Sequence, residues 1–151
     1  MPQSLSSLHV HLIFSTKNRE SFLDNAEIRE ETHAFLGGIA KKLGCPPIIV
    51  GGVADHVHLL YLSNRTVSLA DCVKELKRVS SIWIKQRAPT LTAFAWQSGY
   101  AAFSVSASNV DDVREYIAKQ KEHHKKRGFQ DEYRALLRKH GLAWDERYVW
   151  E

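Results

Sequence analysis

Alternating apolar and polar side chains over residues 8–15 predict a β-strand near the start of the chain. One face would be apolar and the other would carry two histidines, with Leu8, Val10, Leu12 and Phe14 set against His9, His11 and Ile13. The segments IIVGGV and HVHLLYL, separated only by Ala54 and Asp55, predict a β-hairpin. The segment AAFSVS predicts a fourth strand at residues 101–106.

Apolar residues at helical spacing predict one helix before the hairpin and another after it. The first helix follows Asp24 and Glu27, a pair that resembles a capping box, and it ends at Gly44. The second helix follows Ser68 and Asp71, which form the same kind of capping pair. Each helix should therefore bury an apolar stripe and leave its charged side chains in solvent.

Two more helices are predicted towards the C-terminus, at residues 108–126 with Ser108 and Asp111 as a capping pair, and at residues 131–141. The order strand, helix, strand, strand, helix, strand, helix indicates an α+β fold of the ferredoxin-like (RRM-like) type. This fold is an antiparallel four-stranded sheet with two helices on one face, here followed by a tyrosine-bearing C-terminal helix. We predict one domain of residues 1–151, in which residues 129–151 form a short helical and aromatic extension.

The first and third strands are central neighbours in this fold, so the similar segments LHVHLIF and DHVHLLY would lie side by side. Their alternation would send apolar side chains to the two helices and the histidines to the open face of the sheet. His56 and His58 would then project from the same side, with Cβ atoms roughly 6.5–7 Å apart. Such a pair can bind one divalent ion if another element supplies a third ligand.

Tyr116 and Gln120 are candidates for completing this site, because residues four apart share one face of a helix. If Gln120 reached the ion, the Tyr116 hydroxyl would lie close to it. A nitrogen and oxygen ligand set suits Mg²⁺ or Mn²⁺ bound beside a phosphate, and it lacks the thiolates of a structural zinc site. The metal would polarise a phosphoryl oxygen while tyrosine attacks phosphorus.

The composition of the chain shows a mild excess of basic residues. Lys and Arg outnumber Asp and Glu by 21 to 17, and the pI near 9.1 is compatible with a polyanionic partner. Cys45 and Cys72 are too few for a disulfide scaffold and are expected to be small buried apolar residues. No apolar run approaches the ~20 residues needed to span a bilayer. We therefore expect a soluble, cytoplasmic protein that has no membrane partner.

Three features together resemble the single-tyrosine transposases of the insertion-sequence 200/605 family. These features are the pair His56 and His58 on a central strand, the later Tyr-x-x-x-Gln motif of Tyr116 and Gln120, and the segment WQSGYAAFSVS before it. Such transposases belong to the HUH superfamily of single-stranded DNA nucleases, and their relatives include the transposases associated with repetitive extragenic palindromes. The resemblance extends from the first strand through the tyrosine helix.

The resemblance implies that His56, His58 and Gln120 bind the metal and that Tyr116 is the nucleophile. Tyr116 would attack a DNA phosphate, forming a 5′-phosphotyrosine link and freeing a 3′-hydroxyl, and the reverse steps on another strand would rejoin the DNA. Because the covalent link conserves the phosphodiester energy, no nucleotide cofactor is expected. The resemblance also implies single-stranded DNA with hairpin ends as the substrate, and a homodimer as the assembly.

The resemblance also implies that His11, Lys17 and Arg19 contact DNA phosphate or support the site, because similar proteins carry a histidine on the opening strand and a Lys and Arg turn after it. If DNA is the substrate, the basic residues Lys119, Lys125 and Arg127 could also neutralise its backbone charge. The charged segment 119–127 equally fits a solvated helix face. Trp96 and Trp83 could stack on bases, although Trp83 falls on an apolar helix stripe. Two alternative functions stay open: a non-catalytic binding module that uses the open sheet face as a stacking platform, and a host-retained, transposase-derived nuclease.

Overall fold

The computed structural model describes residues 2–151 as an α+β protein built on one antiparallel sheet. The four strands are β1 (His9–Ser15), β2 (Pro47–Val53), β3 (His56–Leu62) and β4 (Ala101–Val105). Their order in the sheet is β2-β3-β1-β4, which places β1 and β3 at the centre. The ferredoxin-like fold predicted from the sequence is confirmed, as is the hairpin that joins β2 to β3.

Five α-helices accompany the sheet within residues 2–151. They are α1 (Ala26–Lys42), α2 (Leu69–Arg87), α3 (Val110–Ala118), α4 (Gln120–His123) and α5 (Phe129–Lys139). Helices α1 and α2 cover one face of the sheet, and the apolar side chains predicted to face them are buried there, including Leu12, Phe14, Val57, Leu59 and Tyr61. The principal core lies between this sheet face and these two helices.

A side chain caps the N-terminus of each of the first two helices, although one of the two capping residues differs from the prediction. The Ser68 Oγ accepts a hydrogen bond from the Asp71 backbone N–H at 3.0 Å, which confirms the predicted start of α2. Helix α1 is capped by Asn25 and not by Asp24, because the Asn25 Oδ1 accepts from the backbone N–H three residues later at 3.0 Å. Gly44 follows α1 with φ of 73°, as expected of a glycine that ends a helix.

The third predicted helix is interrupted in the structure. A 3-10 turn, Ala107–Asn109, precedes α3, and α3 begins without a side-chain cap, so the predicted Ser108 cap is wrong. At Lys119 the backbone leaves helical values, with φ of −101° and ψ of 21°, and this residue separates α3 from α4. Tyr116 and Gln120 therefore lie on different helices, and helical periodicity alone does not set their relative position.

The second face of the sheet, predicted to be open, is covered by α3, α4, α5 and the tail that follows them. A second core cluster lies there and comprises Ile13, Ala101, Phe103, Phe129, Tyr133 and Leu137. His11, His56 and His58 have exposed fractions of 3%, 0% and 0%. The prediction that these histidines face solvent is wrong, because α5 is amphipathic and buries its apolar stripe against this face.

The tryptophans are mainly packing residues. Trp96 is 8% exposed and its Nε1–H donates to the Ser80 Oγ at 2.9 Å, so Trp96 is a core residue and not a platform for bases. Trp83 stacks on Phe35 with ring centroids 4.6 Å apart. Trp150 packs against the second core cluster, which shows that the aromatic tail docks on the body of the protein.

Cys45 and Cys72 are both free and buried, which confirms that they are small core residues. Among residues 2–151, no helix combines the length and the apolar character needed to cross a bilayer.

Candidate active site

The start of β3 and the end of α3 meet on the second face of the sheet, which α3, α4 and α5 cover. His56 and His58 lie on this face and are fully buried. Gly51 of β2 pairs with His58, and a Cβ atom at position 51 would lie 2.9 Å from the carbonyl oxygen of Ile117. Glycine at this position therefore lets α3 pack directly on the strand. This close approach brings Tyr116 beside the two histidines.

The carboxylate of Glu132, from α5, lies at the centre of the site and is 1% exposed. Its Oε1 atom is 3.1 Å from the Nε2 of His58 and 3.3 Å from the Nε2 of both His56 and His124. Its Oε2 atom accepts a hydrogen bond from the Tyr116 hydroxyl. Three imidazoles and one phenol thus converge on a single carboxylate.

The Gln120 amide completes this cluster. Its Oε1 lies 3.2 Å from the Nε2 of His56 and 3.0 Å from the Nε2 of His124, while its Nε2–H donates to Glu132 Oε2 at 3.1 Å. The structure therefore brings together the residues that the sequence singles out for metal binding and catalysis, namely His56, His58, Tyr116 and Gln120. Their chemical roles stay predictions.

Further hydrogen bonds orient the two strand histidines. The Nδ1 of His56 lies 2.7 Å from the Asp55 Oδ1, and the Nδ1 of His58 lies 2.8 Å from the Nε2 of His11. Because His58 donates its Nε2–H to Glu132, its Nδ1 is the acceptor and His11 is the donor. These contacts aim both Nε2 atoms at Glu132, in the way that outer hydrogen bonds orient metal-binding histidines.

Burial and neighbouring charges shift the pKa values of this cluster in opposite directions. Burial lowers the pKa of His58 to about 4, although Glu132 opposes the shift. Burial also opposes protonation of His56, but hydrogen bonds to Asp55 and Glu132 outweigh it and raise the pKa of His56 to about 9. Burial alone would raise the pKa of Glu132, but hydrogen bonds from His124 and the strand histidines hold it well below its usual value. At neutral pH protonated His56 and ionised Glu132 thus form a buried ion pair.

The nucleophile predicted from the sequence is a protonated phenol in this arrangement. Burial and the neighbouring Glu132 charge raise the pKa of Tyr116 above its usual value. The Tyr116 ring lies 5.9 Å from the His58 ring and 6.3 Å from the His11 ring, measured between centroids. Burial lowers the pKa of His11 to about 3, so this imidazole is neutral. The phenol is therefore held between neutral rings and one carboxylate.

The donor atoms around Glu132 fit a divalent cation. His56, His58 and Glu132 can each present one ligand atom, and these atoms all lie within 4.8 Å of one another. Two donors that bind one ion at right angles, with bonds of about 2.1–2.3 Å, lie about 3 Å apart. The observed separations of 3.1 Å and 3.3 Å from Nε2 to Oε1 are close to this value. The Gln120 Oε1 can supply a further oxygen ligand.

Glu132 is the principal site residue that the sequence motifs do not indicate. It follows the Tyr-x-x-x-Gln motif and lies in the 129–151 extension, which carried no predicted role. The buried residues Phe129, Tyr133 and Leu137 recur every four positions of α5, and Glu132 shares their stripe. A carboxylate on an apolar helix stripe is the signal that could have identified it, because ionised side chains are rarely buried without a partner.

The residues with predicted DNA contacts around β1 differ in accessibility. His11 is buried and supports His58 through its hydrogen bond. Lys17 and Arg19 lie in a 3-10 turn, Lys17–Arg19, directly after β1. The Arg19 guanidinium carbon lies 5.6 Å from the centroid of the Trp150 ring, so this turn also contacts the tail.

The other predicted DNA contacts lie between α3 and α5. Lys119 is exposed and forms an ion pair with Glu115 at 2.7 Å. Lys125 and Arg127 are exposed in the segment that joins α4 to α5. Contacts between DNA and any of these residues stay predictions.

The fold and the site together define an α+β protein with a ferredoxin-like sheet and a buried cluster of histidine, carboxylate and tyrosine side chains. A family model described as "Transposase IS200 like" matches residues 4–120. The chain belongs to this family of transposases, which confirms the resemblance seen in the sequence. The matched span contains His56, His58, Tyr116 and Gln120, whereas Glu132 lies beyond it.

Solved structures share this fold. A provisionally assigned transposase from Deinococcus radiodurans R1 is 26% identical with a TM-score of 0.65, and the match covers 80% of this chain and 95% of that one. A REP-associated tyrosine transposase bound to a REP hairpin is 13% identical with a TM-score of 0.58, and the match covers 82% of this chain and 72% of that one. None of the curated proteins matches the chain significantly.

Proposed function

We propose that this protein cleaves and rejoins single-stranded DNA, with Tyr116 as the nucleophile beside a bound divalent cation. One observation carries the proposal: in a chain of a transposase family, Tyr116, Gln120 and the two strand histidines all contact the buried carboxylate of Glu132. Packing alone does not account for so many titratable groups in one buried cluster, because each loses hydration energy there.

The cation in this proposal is Mg²⁺ or Mn²⁺, held by His56, His58 and Glu132 with Gln120 as a further oxygen ligand. Glu132 extends the ligand set expected from the sequence, and its carboxylate strengthens the preference for ions that favour oxygen donors. When bound, the cation would polarise a phosphoryl oxygen and offset the charge that develops on it. The hydrogen bonds to the Nδ1 atoms keep the imidazoles in position for this role.

The proposed reaction transfers a phosphoryl group of the DNA backbone from its 3′ oxygen to the Tyr116 oxygen. The Tyr116 oxygen attacks a backbone phosphorus atom, so that an O–P bond forms while the P–O3′ bond breaks. The phenol gives up its proton towards Glu132 Oε2, which accepts its hydrogen bond, and O3′ gains a proton as it leaves as a 3′-hydroxyl. Glu132 orients the phenol through their hydrogen bond, and Gln120 holds the same carboxylate oxygen. Attack by a 3′-hydroxyl on that phosphorus reverses the step and joins two strands without a nucleotide cofactor.

We also propose hairpin-bearing DNA as the substrate and a homodimer as the assembly. The hairpin is supported by the structural neighbour described as bound to a REP hairpin, and the formal net charge of +4 suits a polyanion. The site residues converge within one chain, so in this proposal each protomer uses its own Tyr116. Residues 129–151 belong to the same functional domain, because α5 supplies Glu132.

The non-catalytic alternative finds less support. A stacking platform needs an exposed sheet face, but α3, α4 and α5 cover that face and bury its histidines. A host-retained nuclease derived from a transposase would use the same site and the same first step, so the proposed chemistry applies to it equally.

Formation of a covalent adduct tests this proposal. The protein is incubated with Mn²⁺ and a pool of fluorescent single-stranded oligonucleotides in which a hairpin is flanked by randomised sequence. We expect a fluorescent protein band that survives denaturation and that disappears in Tyr116→Phe or with a chelator.

Tyr100→Phe is the matched control, because it removes the same hydroxyl from a half-buried tyrosine outside the cluster. This variant should form the adduct normally. An adduct that persists in Tyr116→Phe, or only reversible complexes with every protein, would contradict the proposed function.

A further inference from the structure

A cavity of about 460 Å³ lies beside the candidate active site, between β4, α3 and α5. Tyr116 and His11 form part of its wall, whereas the candidate metal ligands His56, His58 and Glu132 do not line it. A molecule in this cavity would therefore meet the cluster at the phenol. The cavity thus provides a route by which a phosphate could reach Tyr116.

Another part of the cavity wall offers an aromatic surface. The ring of Phe103 stacks on that of His140, with centroids 4.2 Å apart and planes 20° apart. The Nδ1–H of His140 donates to the carbonyl oxygen of Leu136 at 2.9 Å, which fixes the orientation of the ring. His140 is exposed and presents a ring face for stacking.

Charged side chains line the same cavity. Arg127 and Lys139 are exposed cations, and Asp112 is the acidic residue of the lining. Two cations against one carboxylate suit a phosphodiester, while the carboxylate can accept a hydrogen bond from an amino group of a base. The volume is within the range of pockets that enclose one small ligand.

From these observations, and resting on the proposed function, we infer that this cavity seats the nucleotide next to the phosphate that Tyr116 attacks. The base stacks on His140, and the backbone phosphate lies towards Arg127 and Lys139. The cavity is then the part of the protein that places one nucleotide of the strand relative to the phenol.

Photo-cross-linking tests where the nucleotide lies, without any need for cleavage. The probe is a DNA hairpin with a single-stranded thymidine tail in which one base is 5-iodouracil, and the complex with the whole protein is irradiated in the presence of a chelator. Moving the modified base along the tail should give one position that cross-links to peptides containing Phe103 or His140. Cross-links confined to other surfaces would overturn the inference.

Binding of the same hairpin, measured by fluorescence anisotropy, gives a second readout. His140→Ala should weaken binding about fivefold or more, the effect of losing one stacked base. Lys139→Gln should lower the slope of log affinity against log salt by about 0.7, as expected for one phosphate contact on a single strand. Arg138→Gln is the matched control, since it removes a cation one residue away that does not line the cavity.

Different results would overturn the proposed cleavage and the inference about the cavity. If the adduct forms normally while Lys139→Gln and His140→Ala bind like Arg138→Gln, the cavity inference is overturned and the proposed function stands. If the cavity cross-links but no protein forms an adduct, nucleotide binding in the cavity is supported and the proposed cleavage is not.

Discussion

At the scale of single residues, the site depends on one buried carboxylate with many partners. Glu132 contacts three imidazoles, a phenol and an amide, and the protonated His56 balances its charge. An unpaired buried charge is strongly destabilising. The ionised Glu132 therefore depends on protonated His56 and on the hydrogen bonds that it accepts. A bound cation would take over the role of balancing the carboxylate.

Replacement of Glu132 should therefore weaken metal binding. We expect Glu132→Gln to bind Mn²⁺ at least about tenfold more weakly, because an amide oxygen carries no net charge to hold a divalent ion. Titration calorimetry measures the affinity directly, and the Mn²⁺-dependent rise in melting temperature provides a second measure.

Glu122→Gln is the matched control for this substitution, because Glu122 is an exposed glutamate of α4. It should bind Mn²⁺ like the unmodified protein. Equal Mn²⁺ affinities for Glu132→Gln and Glu122→Gln would show that Glu132 is not a ligand.

At the scale of elements, the site is assembled where α3 lies against β2 and where α5 covers the sheet. Gly51 permits the first of these contacts, because the space that a Cβ atom would need is occupied by Ile117. The break at Lys119 then turns α4 so that Gln120 meets His56, while α5 contributes Glu132. Three helical segments thus supply the side chains that meet the two strand histidines.

Addition of one methyl group at position 51 tests this packing. Gly51→Ala should lower the free energy of unfolding by about 1–3 kcal/mol, since the new atom lies 2.9 Å from Ile117 backbone and side-chain atoms. It should also slow adduct formation, because α3 carries Tyr116. Denaturant unfolding and the adduct assay measure the two effects.

The same substitution in α1 should have the opposite sign. Within the described part of the chain, a Cβ atom added at Gly38 would meet no atom of another element within 4 Å, so Gly38→Ala should stabilise the protein by about 0.5–1 kcal/mol through helix propensity. If Gly51→Ala were as stable as Gly38→Ala, the close contact between α3 and β2 would not limit the packing.

At the scale of the whole molecule, a half-buried histidine couples stability to pH. Burial and the charge of Arg29 lower the pKa of His33 from 6.5 to about 4. The Nε2 of His33 is buried and has no hydrogen-bond partner among residues 2–151. The unfolded chain therefore binds more protons than the folded protein between these two pH values. Folding stability is fully present above pH 6.5 and falls as the pH falls towards 4.

His33→Gln should flatten this acid limb, because glutamine does not titrate. The unmodified protein should lose up to about 3 kcal/mol more than the variant between pH 6.5 and pH 4. Urea unfolding at a series of pH values measures the difference, with each protein referred to its own stability at neutral pH. Parallel curves for the two proteins would contradict the lowered pKa.

Local patterns in the chain were sufficient to predict the four strands, the hairpin and the two helices that cover the first face of the sheet. The order of the strands followed from the fold that this succession of elements indicates. The alternation in β1 and β3 and the cap at Ser68 are encoded within a few residues, so the sequence determines them by itself. The paired histidines and the Tyr-x-x-x-Gln motif are also visible locally, which is why the sequence indicates the family and the candidate chemistry.

Only the tertiary structure decided that the histidines are buried and that Glu132 joins them. Residues 56 and 132 are distant in the chain, and their contact depends on how α5 packs against the sheet. Local periodicity does not specify this packing. The break at Lys119 likewise made the meeting of Tyr116 and Gln120 a result of packing. Contacts of this kind arise because an amphipathic helix buries its apolar stripe wherever the fold leaves a matching surface.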